Sequence, residues 1–188
     1  MLEKFQELLK SKSKEKSKKG KKSSNLTDYF KIIGLSLIVA LLINKFLIFK
    51  AQIPTSSMVP TLNVGDVLLV NKLYNLDSLK QGDIVVFFSN ENNEYMVKRL
   101  IGLPGDYVSI NNGKVYVNGE YLEENYVKFE DEYIGSYTVP KDKYFFLGDN
   151  RPISLDSRRW KETCIDKKDI VGLVNFRLYP IKDIGNIK

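Results

Sequence analysis

The side chains available for hydrolytic chemistry are few, because the chain of 188 residues contains no histidine and a single cysteine. Without histidine there is no Ser-His-Asp triad, no Cys-His dyad, no imidazole base and no histidine metal ligand. Cys164 alone supports neither an internal disulfide nor a cysteine zinc cluster. A nucleophile in this sequence would therefore be activated by a lysine, by a carboxylate or by a metal ion that oxygen ligands hold.

A loop rich in hydroxyl groups holds the first candidate nucleophile. Residues 54–62 read Pro-Thr-Ser-Ser-Met-Val-Pro-Thr-Leu, and the two prolines favour an extended backbone between them. Ser57 lies near the middle of this segment. A serine in a proline-flanked turn is more often only a turn residue, so the loop by itself leaves both interpretations open.

An amine between apolar neighbours is the candidate base. Residues 94–101 have the composition of a strand, in which side chains alternate between two faces. Lys98 then shares its face with Met96 and Leu100, while Arg99 lies on the opposite face. Poor solvation of the ammonium lowers its pKa, and a base near neutral pH needs a fall from about 10.4 to roughly 7–8, or ~3–4 kcal/mol. A surface lysine at a strand edge is the alternative.

A third segment, residues 148–158, combines turn formers, hydroxyl groups and charges in the order Gly-Asp-Asn-Arg-Pro-Ile-Ser-Leu-Asp-Ser-Arg. A neutral lysine needs a hydrogen-bond partner that orients its lone pair, and Ser154 is a candidate for that role. A charge network could fix this loop against the lysine strand, with Asp156, Arg158 and Arg99 as its members. The alternative is a tight hairpin with surface salt bridges, each of which stabilises little.

The basic charge of the chain lies at its N-terminus. Residues 1–31 carry ten lysines and four acidic residues, whereas residues 50–188 carry 18 basic and 19 acidic side chains. Nucleic-acid binders usually display positive charge on the folded domain, but residues 50–188 carry no net positive charge. The lysine- and serine-rich composition predicts that residues 1–31 form a basic, disordered tail.

A membrane segment is predicted at residues 32–49, where 14 of 18 residues are apolar. As a helix this segment would be about 27 Å long, close to the ~30 Å hydrocarbon core of a bilayer. The preceding lysines predict a cytoplasmic N-terminus and an extracytoplasmic domain at residues 50–188. A buried core helix and a cleaved secretory signal are the alternatives; an uncleaved signal-anchor is the favoured interpretation.

The remaining sequence predicts a mostly antiparallel β domain with little helix, preceded by the one transmembrane helix. Short apolar and β-branched runs alternate with turn signals, and Asn112-Gly113 between two such runs is a strong hairpin signal. The acidic, irregular stretch around residues 120–135 predicts a small flap. For Trp160 and Cys164 we expect ordinary packing or loop roles.

Taken together, these segments resemble the bacterial type I signal peptidases. The family's serine box is found at residues 54–62, a strand box at 82–87, the lysine box at 98–106 and the Gly-Asp-Asn-Arg box at 148–158. Four boxes in the family's order behind an N-terminal anchor are far more specific than any one of them. The resemblance extends from about residue 30 to the C-terminus.

The resemblance implies a catalytic domain that acts by a Ser/Lys dyad without a metal or other cofactor. Ser57 would be the nucleophile and Lys98 the general base. The backbone N–H of Ser57 and the hydroxyl of Thr55 would hold the oxyanion, and Ser154 would orient Lys98. After Arg158 the sequence departs from the family's usual pattern, which affects the expected local loop but not the dyad.

The implied reaction removes N-terminal signal peptides from exported preproteins after a small-x-small site, at the outer face of the bacterial cell membrane. The implied partners are the signal peptides of secreted preproteins and the phospholipid bilayer, and no nucleic acid. Ala51 replaces a large aromatic residue of several relatives, which predicts a roomier pocket for the third residue before the cut. The residues that match the family's shallow apolar pockets are Ile53, Met58, Leu62 and Val97.

Three alternative functions are compatible with parts of this sequence. Self-cleaving repressor proteases share Ser/Lys chemistry and a related β fold, but they carry a DNA-binding helical domain that this N-terminus is too short and polar to supply. A membrane-anchored β module that binds without cutting would not need to keep Ser57, Lys98 and Ser154 together. Within the family, a processor dedicated to a few substrates such as pilus subunits remains an alternative to general preprotein processing.

Overall fold

The computed structural model describes residues 26–72 and 75–187. Within these residues the chain forms one α-helix, twelve β-strands and three short 3₁₀ turns. The helix is α1 (Leu26–Phe46), and the 3₁₀ turns are Leu76–Ser78, Lys167–Asp169 and Ile181–Asp183. The strands are β1 (Ile48–Gln52), β2 (Val67–Asn71), β3 (Ile84–Ser89), β4 (Glu94–Gly102), β5 (Tyr107–Asn111), β6 (Lys114–Val117), β7 (Glu120–Tyr121), β8 (Gly135–Thr138), β9 (Lys143–Leu147), β10 (Ile165–Asp166), β11 (Ile170–Tyr179) and β12 (Gly185–Asn186).

The chain divides near residue 41 into two units, and α1 supplies the described part of the first. Residues 26–43 are long and apolar enough to span a membrane, and none of this window is buried, which disfavours the alternative of a core helix. The Ser36 hydroxyl donates to the carbonyl of Ile32 at 2.7 Å, so this polar group is satisfied inside the helix.

The bounds of α1 differ from the predicted membrane segment at residues 32–49 and the predicted tail at 1–31. The helix begins at Leu26, with Asp28 in its first turn, where a carboxylate interacts favourably with the helix dipole. It ends at Phe46, because the apolar residues that follow pair with β2 as strand β1. An apolar run alone does not distinguish the end of a helix from the start of a strand. The tail prediction for residues 1–25 lies outside the described residues.

The second unit contains a large antiparallel sheet with strand order β1-β2-β11-β3-β4-β9-β10, in which β12 also pairs with β11. Strand β11 is central, since it pairs with β2, β3 and β12. Strand β1 is at one edge. This architecture confirms the predicted fold class.

Several strands of this sheet are buried on both faces. In β3, Ile84 and Val86 pack into one apolar cluster while Val85 and Phe87 pack into another. The same alternation occurs in β9, whose side chains enter two different clusters. Burial on both sides explains why these strands read as continuous apolar runs. Trp160 and Cys164 lie in these clusters, which confirms their expected packing roles.

A smaller antiparallel sheet has the order β7-β6-β5-β8. Its β5–β6 hairpin turns at Asn112 and Gly113, both with positive φ, as the sequence predicted. The segment predicted as a flap at residues 120–135 begins in β7 and ends at the first residue of β8; between them, residues 122–134 are largely irregular. We call residues 122–134 the acidic loop.

The hairpin turn supports the acidic loop through Gly113. Its N–H donates to the carbonyl of Tyr133 at 3.1 Å. A Cβ atom at this position would collide with the backbone carbonyl of Asp131. Gly113 is therefore needed both for its positive φ and for the close approach of the loop backbone.

Replacing Gly113 by alanine should destabilise the domain more than the same change at Gly119. Both residues have positive φ, which costs alanine about 1 kcal/mol, but a Cβ at Gly119 meets open space. Only Gly113→Ala also displaces the acidic loop. Thermal unfolding of both variants measures the difference, and an equal loss of stability would contradict the proposed contact.

Candidate active site

Ser57 lies in a compact loop between β1 and β2. The loop is closed by hydrogen bonds from Ile53 N–H to the carbonyl of Asp66 and from Leu62 N–H to the carbonyl of Met58, at 2.9 and 2.8 Å. Ile53 and Met58 are buried in an apolar cluster beneath it. Backbone hydrogen bonds and buried apolar side chains of the loop therefore hold Ser57 in place.

Lys98 on β4 lies beside this serine. Its Nζ atom is 2.5 Å from Ser57 Oγ, and the side chain is only 3% exposed. Burial lowers the pKa of Lys98 to about 8, because the charged form is poorly solvated; the nearby carboxylates of Asp156, Glu94 and Asp149 oppose this effect and Arg158 adds to it. At pH 7 about a tenth of such amines are neutral. The arrangement allows an uncharged amine to accept the serine proton.

Residues 148–158 hold the serine loop from the other side. The N–H of Asn150 donates to the carbonyl of Ser57 at 3.0 Å, and its side-chain amide donates to the carbonyl of Ser56 at 3.2 Å. A Cβ at Gly148 would lie 2.6 Å from the Ser57 carbonyl and would also collide with Ser154 Oγ. Glycine at position 148 thus permits the two loops to touch.

Arg99, the neighbour of Lys98 in β4, joins the lysine strand to the same loop. Its guanidinium forms a bidentate pair with Asp149, with Nε–Oδ1 and Nη2–Oδ2 distances of 2.9 and 2.7 Å. Asp149 also accepts a hydrogen bond from the hydroxyl of Thr61 in the serine loop, at 2.5 Å. One buried carboxylate therefore links the strand of the base to the loop of the candidate nucleophile.

The predicted charge network is divided in two. Arg158 pairs with Asp156 through two hydrogen bonds of 2.8 Å, as expected, but Arg99 pairs with Asp149 instead. Asp149 is thus a site residue that the sequence reasoning did not select.

Four more residues around the site were also missed: Arg151, Glu124, Tyr126 and Asp131. Arg151 is 2% exposed and pairs with Glu124, and Asp131 pairs with Arg158. The signal available in the sequence was the concentration of acidic residues at 120–132 in a domain with few arginines.

Two other predicted residues have hydroxyl groups close to the serine. Thr55 Oγ1 lies 3.4 Å from Ser57 Oγ and lines the cleft in front of it. Ser154 is fully buried, and its Oγ has no hydrogen-bond partner among the described residues. The structure therefore does not place Ser154 in a hydrogen bond with Lys98.

A cleft of about 560 Å³ opens beside Ser57 and Lys98. Of the predicted pocket residues, Ile53, Met58 and Val97 line it, as does Ala51. Leu62 does not; it has no exposed surface and packs in the apolar cluster beneath the loop, so its assignment to the pocket was wrong. The backbone N–H of Leu62 closes the turn onto Met58, and its side chain packs in the core.

The chain is similar to known proteins of one family. Residues 26–179 match the family described as "Signal peptidase, peptidase S26". A relative named Signal peptidase I P, from Bacillus subtilis subsp. natto, is 40% identical over 91% of this chain and 98% of its own. A Signal peptidase I from Leptolyngbya laminosa is 39% identical over 89% of this chain and 86% of its own. A crystal structure of a signal peptidase I from Enterococcus faecalis V583 is 32% identical over 51% of this chain and 96% of its own, with a TM-score of 0.45.

The chain therefore belongs to the signal peptidase family, peptidase S26. Members of this family are hydrolases of the serine peptidase class that remove signal peptides, and they are anchored in membranes. This assignment favours the peptidase over the repressor-protease and binding-module alternatives.

Replacing Lys98 by methionine should stabilise the fold below pH 8. The pKa of Lys98 is lower in the folded state (about 8) than in the unfolded chain (near 10.5), so the unfolded chain binds more protons and wild-type stability rises with pH between these values. At about 1.4 kcal/mol for each pH unit, Lys98→Met should gain up to about 3 kcal/mol below pH 8.

Chemical denaturation of both proteins between pH 7 and pH 10 measures this difference, which should shrink as the pH approaches 10.5. Lys114→Met, at an exposed lysine on β6, is the matched control and should show no such trend. A pH-independent difference for Lys98→Met would contradict a lowered pKa.

Proposed function

We propose that this protein is a membrane-bound serine endopeptidase that removes N-terminal signal peptides from exported preproteins after a small-x-small site, with Ser57 as nucleophile and Lys98 as general base. The observation that carries this proposal is the 2.5 Å approach of a buried lysine amine to a serine hydroxyl in a chain of the signal peptidase family.

The proposed reaction begins when Ser57 Oγ attacks the carbonyl carbon of the scissile bond and its proton passes to the neutral amine of Lys98. The C–N bond of the tetrahedral intermediate then breaks, and the Lys98 ammonium returns the proton to the leaving amine. The neutral amine next takes a proton from water, which attacks the carbonyl carbon of the ester. The C–O bond to Ser57 then breaks, the Lys98 ammonium returns the proton to Ser57 Oγ, and the signal peptide is released with a free carboxyl end.

The oxyanion of each tetrahedral intermediate would be held by the backbone N–H of Ser57 and by the hydroxyl of Thr55. Thr55 lines the cleft next to Ser57 Oγ, which supports this role, because donors fixed before the reaction stabilise developing charge without reorganisation. We retain Ser154 as a candidate partner of the Lys98 amine, since a buried hydroxyl without a partner is costly unless another group approaches it.

The substrate would bind in the cleft as an extended chain. Strand β9 pairs with β4 only from Arg99 onward, so on that side residues 94–98 have no strand partner among the described strands. Edge strand β1 contributes Ala51 to the cleft. Backbone hydrogen bonds to a free strand edge give affinity, and the apolar pockets give selectivity for small side chains.

Helix α1 would anchor the enzyme in the bilayer that also holds the signal peptide. The ten lysines of residues 1–31 favour a cytoplasmic N-terminus, which puts the catalytic domain on the outer face of the bacterial cell membrane. Holding enzyme and substrate in one bilayer raises their effective concentration.

Replacing Ser57 by alanine should abolish processing of a preprotein, because no nucleophile remains. The full-length protein in detergent is incubated with a labelled preprotein, and mass spectrometry identifies the new N-terminus. We expect a loss of at least about a thousandfold, with an unchanged melting temperature. Activity of Ser57→Ala near that of wild type would refute the assignment, as would a wild-type protein that fails to cut.

The rate should rise with pH up to about 8 and then level off. Lys98 accepts a proton only when neutral, and burial lowers its pKa to about 8, so kcat/KM should fall about tenfold for each pH unit below that value. The measurement is the pH profile of kcat/KM for a peptide without titratable groups near the cut. A midpoint near 10.5, the ordinary value for lysine, would contradict the mechanism.

A further inference from the structure

The acidic loop contacts each of three buried arginines beside the active site. The ring of Tyr126 lies over the guanidinium of Arg99, 3.7 Å from centroid to carbon. Glu124 pairs with Arg151 at 2.5 Å. The third contact is an ion pair of 2.5 Å between Asp131 and Arg158.

Glu124 is the carboxylate partner of Arg151 in this cluster. The three arginines are 7% exposed or less, whereas residues 148–158 supply only two buried carboxylates, Asp149 and Asp156. A buried charge without a partner is strongly destabilising. Glu124, whose side chain is 8% exposed, supplies the partner that Arg151 needs.

Glu124 and Tyr126 are also joined to each other by a hydrogen bond. The Tyr126 hydroxyl donates to Glu124 Oε1 at 2.6 Å, and burial, followed by the neighbouring Glu124, raises the pKa of Tyr126. The phenol therefore stays protonated and keeps donating. A single hydrogen-bonded pair in the acidic loop thus covers both Arg99 and Arg151.

These two arginines hold the turn that supports the serine. Arg99 grips Asp149 with two hydrogen bonds, and Arg151 Nε donates to the carbonyl of Gly148 at 3.1 Å. The N–H of Asn150, the residue that follows Asp149, donates to the carbonyl of Ser57. The turn is therefore fixed at Gly148 and at Asp149 by arginines that the acidic loop covers.

We propose that Glu124 and Tyr126 are positioning residues for the Ser57–Lys98 pair. They hold Arg99 and Arg151 in the orientation that fixes residues 148–150, and these residues fix the serine relative to the lysine strand. The proposal rests on the proposed function, because it assigns a role in the same reaction. None of the described cleft-lining residues belongs to the acidic loop, so the effect should fall on the chemical step and not on substrate binding.

The test compares four variants of the full-length protein in detergent with wild type, by kcat and KM for cleavage of one preprotein. Glu124→Gln removes the charge, Tyr126→Ala removes the ring, and Tyr126→Phe keeps the ring but loses its hydroxyl. Glu132→Gln makes the same charge change at an exposed position of the acidic loop and is the matched control.

We expect Glu124→Gln and Tyr126→Ala to lower kcat by about 10- to 100-fold, the range in which small displacements of reacting groups act, with KM changed less than about threefold. Tyr126→Phe should lie between wild type and Tyr126→Ala, because it keeps the ring over Arg99 but loses the hydrogen bond to Glu124. Glu132→Gln should stay within about threefold of wild type. Rates are taken well below each melting temperature, where a loss caused by unfolding disappears and a loss of positioning persists.

Unchanged kcat in folded Glu124→Gln and Tyr126→Ala would overturn the proposal, and so would an equal loss in Glu132→Gln. If Glu124→Gln does not fold, the ratio of kcat for Tyr126→Phe over Tyr126→Ala decides, and a ratio near one refutes the role. The proposed function is tested separately, by wild-type cleavage that Ser57→Ala abolishes. A failure of the positioning role is therefore distinguishable from a failure of the proposed function.

Discussion

The contact between the Lys98 amine and the Ser57 hydroxyl is the interaction on which the rest of the structure depends. Burial disfavours the ammonium, whereas Asp156, Glu94 and Asp149 favour it, so the amine is usable as a base only because burial outweighs the three carboxylates. The surrounding fold must exclude water from Lys98 and still bring acidic residues close enough to organise the loops.

Arginine makes this combination possible. A guanidinium keeps its charge in proteins, and the pKa of both Arg99 and Arg158 is raised above its ordinary value: their carboxylate partners outweigh burial, which acts in the opposite direction. Asp149 and Asp156 thus have permanently charged partners within the site. Lys98 instead pairs with a neutral hydroxyl, and burial lowers its pKa to about 8, so it can lose its proton near neutral pH.

Local patterns in the sequence predicted much of this fold. Strand alternation indicated β4, and the Asn112-Gly113 dipeptide indicated a hairpin that the structure contains. The pairing of charges could not be predicted in this way, because Arg99 and Asp149 are 50 residues apart and Glu124 and Arg151 are 27 apart. Which carboxylate reaches which arginine depends on how the two sheets and their loops come together. The wrong assignment of Leu62 to the pocket has the same cause, because its position in the motif does not reveal that its side chain faces the core.

The adjacency of Lys98 and Arg99 in β4 has an evolutionary consequence. The two residues pair across the sheet with Val85 and Ile84, and a one-residue slip in a strand moves every side chain to the other face. A one-residue deletion between Ser89 and Lys98 that shifted this register would place the guanidinium of Arg99 where Lys98 now faces Ser57. Because that group stays protonated, such a chain could retain a folded sheet and yet be inert. Length variation among descendants of this gene should therefore avoid the segment from Ser89 to Lys98, whose length sets the register of β4.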